Sequence, residues 1–142
     1  MKACFVVDTN VLVSGLLTHE PDSPLAAIVD SMMTGGMIFL LSPRLLTEYR
    51  EVLLRPKVVR FHGLSEKEVD AVLTEIAKNG LWREPNQAAS APDPHDDHLW
   101  ALLMAVPGAI LVTGDQLLLH NPPSFASVIS PRSCLSLILP GK

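Results

Sequence analysis

Short apolar runs alternate with longer amphipathic stretches along almost the whole chain. Residues 3–7 read as a first strand, followed by a short helix or turn over 11–17. Ser23-Pro24 is a helix start, with the serine as cap and the proline at the first helical position. That helix is predicted to run to about residue 33 and to stop at Gly35-Gly36. A second strand follows at 37–41. Ser42-Pro43 repeats the start signal, so a helix is expected from 43 to about 54, before Pro56. Ser65 opens another helix with Glu68 as its capping-box partner. Val69, Val72, Leu73, Ile76 and Ala77 form its apolar stripe, and Gly80 ends it. Residues 84–94, rich in proline and small residues, read as a loop. A helix over 94–106, a strand over 109–113, an edge strand near 125–129 and a short terminal helix from Ser130-Pro131 complete the pattern. Strands alternating with helices predict an α/β fold whose parallel sheet is covered on both faces. No repeat, linker or low-complexity tract divides the chain, so residues 1–142 are expected to form one domain.

The apolar runs matter for chemistry because each leads to a carboxylate. Phe5-Val6-Val7 ends on Asp8, the run at 37–41 is followed soon by Glu48, and Ile110-Leu111-Val112-Thr113-Gly114 ends on Asp115. A buried parallel strand delivers its next polar residue to the carboxyl edge of the sheet, where open α/β sheets bind ligands. Acids distant in sequence are therefore expected to meet. Carboxylates sharing a cleft repel one another unless they are protonated or hold a cation. A metal-dependent site is therefore the leading expectation.

Composition narrows the classes. The chain is 48% hydrophobic with few aromatics, which predicts an aliphatic core. No apolar run is long enough to span a bilayer, and residues 1–7 read as a strand rather than a signal peptide. Cys4 and Cys134 sit in apolar surroundings without a CxxC partner, and read as buried thiols of a cytoplasmic protein. A net charge of −4 argues against a protein that coats nucleic acid non-specifically. Five of the eleven Lys and Arg residues nevertheless lie between Arg44 and Arg60. They read either as a phosphate-binding patch, with Arg44, Arg50 and Lys57 as candidate contacts, or as a solvated helix face with pairs such as Arg44–Glu48 and Glu51–Arg55.

Each acid also has a local reading. Asp8 can cap the helix after it, and Thr9 and Asn10 can hydrogen-bond its carboxylate or make turn chemistry. Glu48 borders the stripe of Leu45, Leu46, Tyr49, Val52 and Leu53 and can lean over the sheet edge, whereas Glu51 points away from it. In Asp93-Pro94-His95-Asp96-Asp97, capping accounts for Asp93 and for Asp96. Asp97 is the acid that helix chemistry least requires, so it is the expected ligand, with Asp96 as substitute or supporting partner. Thr113-Gly114 leads to Asp115, the glycine permitting a sharp turn. His95 and His98 lack the cysteines or the HExxH pattern of a zinc site, and no Walker, GxGxxG or GxSxG motif is present.

Taken together these segments resemble the PIN domain family. Val6-Val7-Asp8-Thr9-Asn10-Val11-Leu12 is similar to its opening motif, and Ser42-Pro43-Arg44-Leu45-Leu46-Thr47-Glu48 to its second. Asp93-Pro94-His95-Asp96-Asp97 with Leu99-Trp100-Ala101 resembles the third, and Leu111-Val112-Thr113-Gly114-Asp115 the fourth. Val52-Leu53-Leu54-Arg55-Pro56-Lys57 resembles a subgroup of toxin components of prokaryotic toxin–antitoxin pairs. The resemblance implies a three-layer α/β/α sandwich with a central parallel sheet. It implies a Mg²⁺- or Mn²⁺-dependent endoribonuclease with Asp8, Glu48, Asp97 and Asp115 as its acidic cluster, supported by Asn10 and Thr113. It further implies a VapC-like toxin held by a cognate antitoxin protein, commonly as a homodimer. The run at 93–97 departs from relatives with a single acid there, which leaves Asp96 and Asp97 both open.

Two rivals remain at this level. A phosphotransferase using Asp8 as nucleophile would usually carry a second aspartate two residues on, where Asn10 stands. A non-catalytic module could bind RNA or a protein through the same cleft. Met32, Met33 and the apolar residues within 135–139 could serve an oligomer, an antitoxin or the core.

Overall fold

The apolar runs at 3–7 and 109–113 become the two central strands, β1 (Cys4–Val7) and β4 (Ile110–Val112), in a computed structural model that describes residues 3–138. They pair in parallel, Val6 opposite Leu111 and Val7 opposite Val112. On the other side of β1 lie β2 (Ile38–Leu41) and then β3 (Leu81–Trp82); beyond β4 lies β5 (Ser127–Ile129). The sheet is all-parallel, in the order β3-β2-β1-β4-β5. Phe5, Val6, Val7, Leu111 and Val112 are buried, as expected of strands covered on both faces.

Helices α1 (Thr9–Leu17) and α2 (Pro24–Thr34) connect β1 to β2, and α3 (Pro43–Leu53), α4 (Pro56–His62) and α5 (Glu66–Asn79) connect β2 to β3. The chain then turns back across the sheet. A 3-10 turn (Pro94–Asp96) and α6 (Asp97–Ala105) lead to β4, α7 (Gln116–His120) leads to β5, and α8 (Pro131–Ile138) packs against α2. The crossovers run in opposite directions on the two sides of β1, and α8 returns to the side that α2 covers. Strand order reverses between β1 and β4, and that reversal is the topological switch point where an α/β sheet opens a crevice.

The predicted caps account for most helix starts. Ser23 Oγ accepts from Leu25 N at 3.1 Å, Ser42 Oγ accepts from Leu45 N at 3.0 Å, and Ser65 and Glu68 form a reciprocal capping box. Gly15 lets α1 and α2 approach closely: a Cβ there would lie 2.6 Å from the Leu25 carbonyl oxygen. α3 is fixed to the sheet by Tyr49, fully buried, whose hydroxyl donates to the Val7 carbonyl at 2.5 Å.

Three elements lie outside the sequence expectation. Pro56, read as the end of one helix, is the first residue of α4, and Gly63 at φ 68° closes it. α7 has five residues behind its cap Asp115, and β3 has two, both too short for a periodic signal. The helix expected over 94–106 begins as the 3-10 turn and becomes α-helical only at Asp97. Gly114 does not take a positive φ, and a Cβ there would meet only Asn10 Oδ1 at 3.7 Å, so no sharp glycine turn is required. Cys4 and Cys134 are free thiols, and burial pushes Cys134 up to about 12. Among the described residues, no helix is long and apolar enough to cross a membrane. Met32 is core, and Leu139 lies outside the described residues.

Candidate active site

Asp8 leaves β1 at the switch point and is the N-cap of α1. Its carboxylate is buried and held on three sides. Oδ1 accepts from Thr9 N at 2.7 Å, and Oδ2 accepts from Thr113 Oγ1 at 2.7 Å and from Asn10 Nδ2 at 3.2 Å. Thr113, fully buried after β4, also accepts from Asp115 N at 3.0 Å. Asn10 Oδ1 accepts from Gly114 N at 3.2 Å. Asn10 and Thr113 thus tie together the ends of the two central strands and fix Asp8 relative to Asp115. Burial raises the Asp8 pKa above its ordinary value. The Thr113 and Thr9 hydrogen bonds oppose that rise, while the negative charges of Glu48 and Asp115 add to it.

Glu48 comes from α3 and leans over the sheet edge, with Glu51 exposed at the cleft rim. Thr9 Oγ1 donates to Glu48 Oε2, and His98 Nε2 lies 3.2 Å from Oε1. Burial raises this carboxyl, but the bonds from His98 and Thr9 and the charges of His98 and Arg44 outweigh it. The pKa is therefore held below its ordinary value. The roles of Thr9 and His98 are not local: Thr9 reaches across 39 positions and His98 across 50. No sequence spacing announces either contact.

The acidic run at 93–97 divides differently from expectation. Asp96 lines the cleft of about 470 Å³ that also holds Asp8, Glu48 and Asp115. Asp97 is not among its lining residues; its Oδ1 accepts from Ala91 N at 2.8 Å and pins the preceding loop. Asp93 Oδ1 accepts from His95 N at 3.0 Å, which is the predicted cap. Asp96, half-buried, accepts no side-chain hydrogen bond among the described residues. Burial, together with the charges of Asp8, Asp93, Glu48 and Asp115, pushes it up to about 6. Asp115 Oδ1 caps α7 at 2.9 Å from Leu117 N, and the residue sits on the cleft wall.

The basic candidates separate as well. Arg44 lines the cleft, joined by Arg55, another of the five clustered basic residues. Arg50 does not reach it: its guanidinium pairs with Glu66 at 2.7 Å and Asp70 at 2.8 Å on α5. Lys57 is exposed on α4 and does not line the cleft. The expected Arg44–Glu48 and Glu51–Arg55 pairs are not among the ion pairs of the described residues.

The donor set suits a hard divalent cation. Every acid offers oxygen, the ligand preferred by Mg²⁺ and Mn²⁺. An ionised carboxylate has about four acceptor positions, so three bonds at Asp8, two at Glu48 and one at Asp115 leave capacity at each. Among the described residues the acids face a common space, but no three of them already converge on one point as a coordination cage. The pKa values of Asp8 and Asp96 are raised first by burial and then by the neighbouring negative charges, and a cation would relieve the second cost.

A parallel sheet with an acidic cleft at its switch point defines an α/β scaffold whose ligand site is built from carboxylates. A family model of the PIN domain matches residues 4–117, and the chain belongs to that family. PIN domains are generally metal-dependent nucleases that use divalent cations. No curated protein matches the sequence.

Proposed function

We propose that this protein is a Mg²⁺- or Mn²⁺-dependent endoribonuclease whose cation is held by Asp8, Glu48, Asp96 and Asp115. The observation that carries this reading is the shared cleft: six acidic residues from distant segments line one space at the sheet's switch point, among them Asp8, Glu48, Asp96 and Asp115, two of these with raised pKa values. When bound, the cation supplies charge neutralisation at the scissile phosphate and acidifies the attacking water. Asn10 and Thr113 hold Asp8 in place, and Thr9 and His98 hold Glu48. Asp96 would complete the ligand set, its carboxyl held up to about 6 in the metal-free cleft by burial and by the neighbouring acids. Arg44 and Arg55 at the rim contact phosphates flanking the cut.

The resemblance of residues 52–57 to toxin components supports a role as the toxin of a toxin–antitoxin pair. It would act on cytoplasmic RNA, with an antitoxin protein and a second copy of the chain as partners. Phe61 on the adjoining α4, 74% exposed, gives such a partner an apolar contact. The nuclease reading is tested with single-stranded RNA: cutting with Mg²⁺, arrest by EDTA and recovery on adding Mn²⁺ are expected. Tight RNA binding with no cutting in any metal would instead indicate a binding module. Growth arrest on expression, relieved by a co-expressed neighbouring small protein, tests the toxin role.

A further inference from the structure

A second cavity, of about 800 Å³, opens beside the acidic cleft and shares Asn10, Ser14 and Asp115 with it. Its far wall is the start of α8, and among the described residues the only basic side chain lining it is Arg132. Among those residues Arg132 makes no ion pair, in contrast to Arg50. One first-turn amide of each helix at the rim is turned onto its own serine cap. Ser23 Oγ accepts from Leu25 N at 3.1 Å and Ser130 Oγ from Ser133 N at 3.2 Å, and the Arg132 guanidinium is the cationic group offered to an anion there. Val11, Pro24, Leu25 and Pro131 add apolar surface.

The charge layout has a direction. Arg44 and Arg55 line the acidic cleft, and Arg132 lies across Asp115 from it. A polyanion whose reacting phosphate sits at the acids therefore meets cations on both sides. A chain with a net charge of −4 holds such a strand only where positive groups are placed for it. We propose that the second cavity receives the nucleotide of the RNA strand next to the scissile phosphate, with Arg132 paired to its phosphodiester and the apolar wall against its ribose or base. This rests on the nuclease reading above and specifies the path of its substrate.

The test is fluorescence anisotropy of a short, labelled, mixed-sequence single-stranded RNA, titrated with salt in Ca²⁺ buffer, for wild type, Arg132→Gln and Arg132→Lys. Loss of one phosphate contact flattens the log–log salt slope by about 0.7 for single strands. Arg132→Gln is expected to show that flattening, severalfold weaker binding, and in Mg²⁺ a raised KM with kcat nearly unchanged. Arg132→Lys should recover the slope. An unchanged slope and KM in Arg132→Gln, with wild type cutting RNA, overturns the subsite alone. Wild type that neither binds nor cuts RNA overturns both readings together. A urea midpoint for each variant separates loss of the contact from loss of the fold.

Discussion

Thr113 offers the sharpest test of how the site is built, because one hydroxyl serves two strands. It donates to Asp8 Oδ2 at 2.7 Å, accepts from Asp115 N at 3.0 Å, and lies 3.4 Å from Asn10 Nδ2. The residue is fully buried, so Thr113→Val removes the hydroxyl while leaving no cavity. A bond to a charged group contributes about 1.5–3 kcal/mol, and an unpaired amide at Asp115 adds about 1 kcal/mol. The expected loss is about 3 kcal/mol. For a chain of this size that lowers the thermal midpoint by about 6–12 °C. The sign of the pH dependence follows from the bond. Burial raises the Asp8 pKa and Thr113 opposes it, so removing the hydroxyl raises it further. The penalty should therefore be largest where Asp8 is ionised and should shrink as the pH falls and the acid takes up a proton. Urea unfolding followed by circular dichroism at neutral and mildly acidic pH measures both effects. Thr113→Ser keeps the hydroxyl and should cost only about 1 kcal/mol for the lost methyl. A Thr113→Val protein within about 0.5 kcal/mol of wild type, or a serine variant as damaged as the valine one, would refute the reasoning.

Asp96→Asn should abolish tight Mg²⁺ binding measured by calorimetry, while Asp97→Asn should keep it and lose only about 1–2 kcal/mol of stability with the Ala91 bond. Equal loss of metal binding in both would show that the cleft assignment is wrong. Asp96 titrates at about 6, above its unfolded value, so its protonation stabilises the metal-free fold as the pH falls through that region. Mg²⁺ must displace that proton, so affinity should fall roughly tenfold per pH unit below about 6 and level off above it. A flat calorimetric profile across that range would contradict this. Tyr49→Phe leaves the buried Val7 carbonyl without its partner and should cost about 1–2 kcal/mol in urea unfolding, an unchanged midpoint being the contrary result.

Much of this site is legible without the fold, for a physical reason. Strands buried on both faces are near-continuous apolar runs, and a parallel sheet sends their next polar residues to one edge. Asp8 and Asp115 follow from that rule alone. Glu48 follows from helix periodicity, since Leu45, Tyr49 and Leu53 turn inward and carry it to the edge. The same reasoning favours Asp97 over Asp96 within 93–97, whereas Asp96 is the one that lines the cleft. It assumes an α-helix from Pro94, but Pro94–Asp96 is a 3-10 turn. Its tighter winding changes where successive side chains point, so Asp96 faces the cleft and Asp97 turns to Ala91. Arg50 escapes a local reading because its partners, Glu66 and Asp70, lie 16 and 20 positions away on another helix. Thr9 and His98 are invisible as holders of Glu48 for the same reason: their contacts exist only once the sheet is assembled.

The most direct measurement is cleavage of a mixed single-stranded RNA pool by purified protein in Mg²⁺, Mn²⁺ and EDTA, with an Asp8→Asn protein purified in parallel. Metal-dependent cutting by the wild type that disappears in the folded variant is the expected result. Cutting that persists undiminished in Asp8→Asn, or that ignores EDTA, would contradict the assignment of the acidic cleft as the catalytic centre.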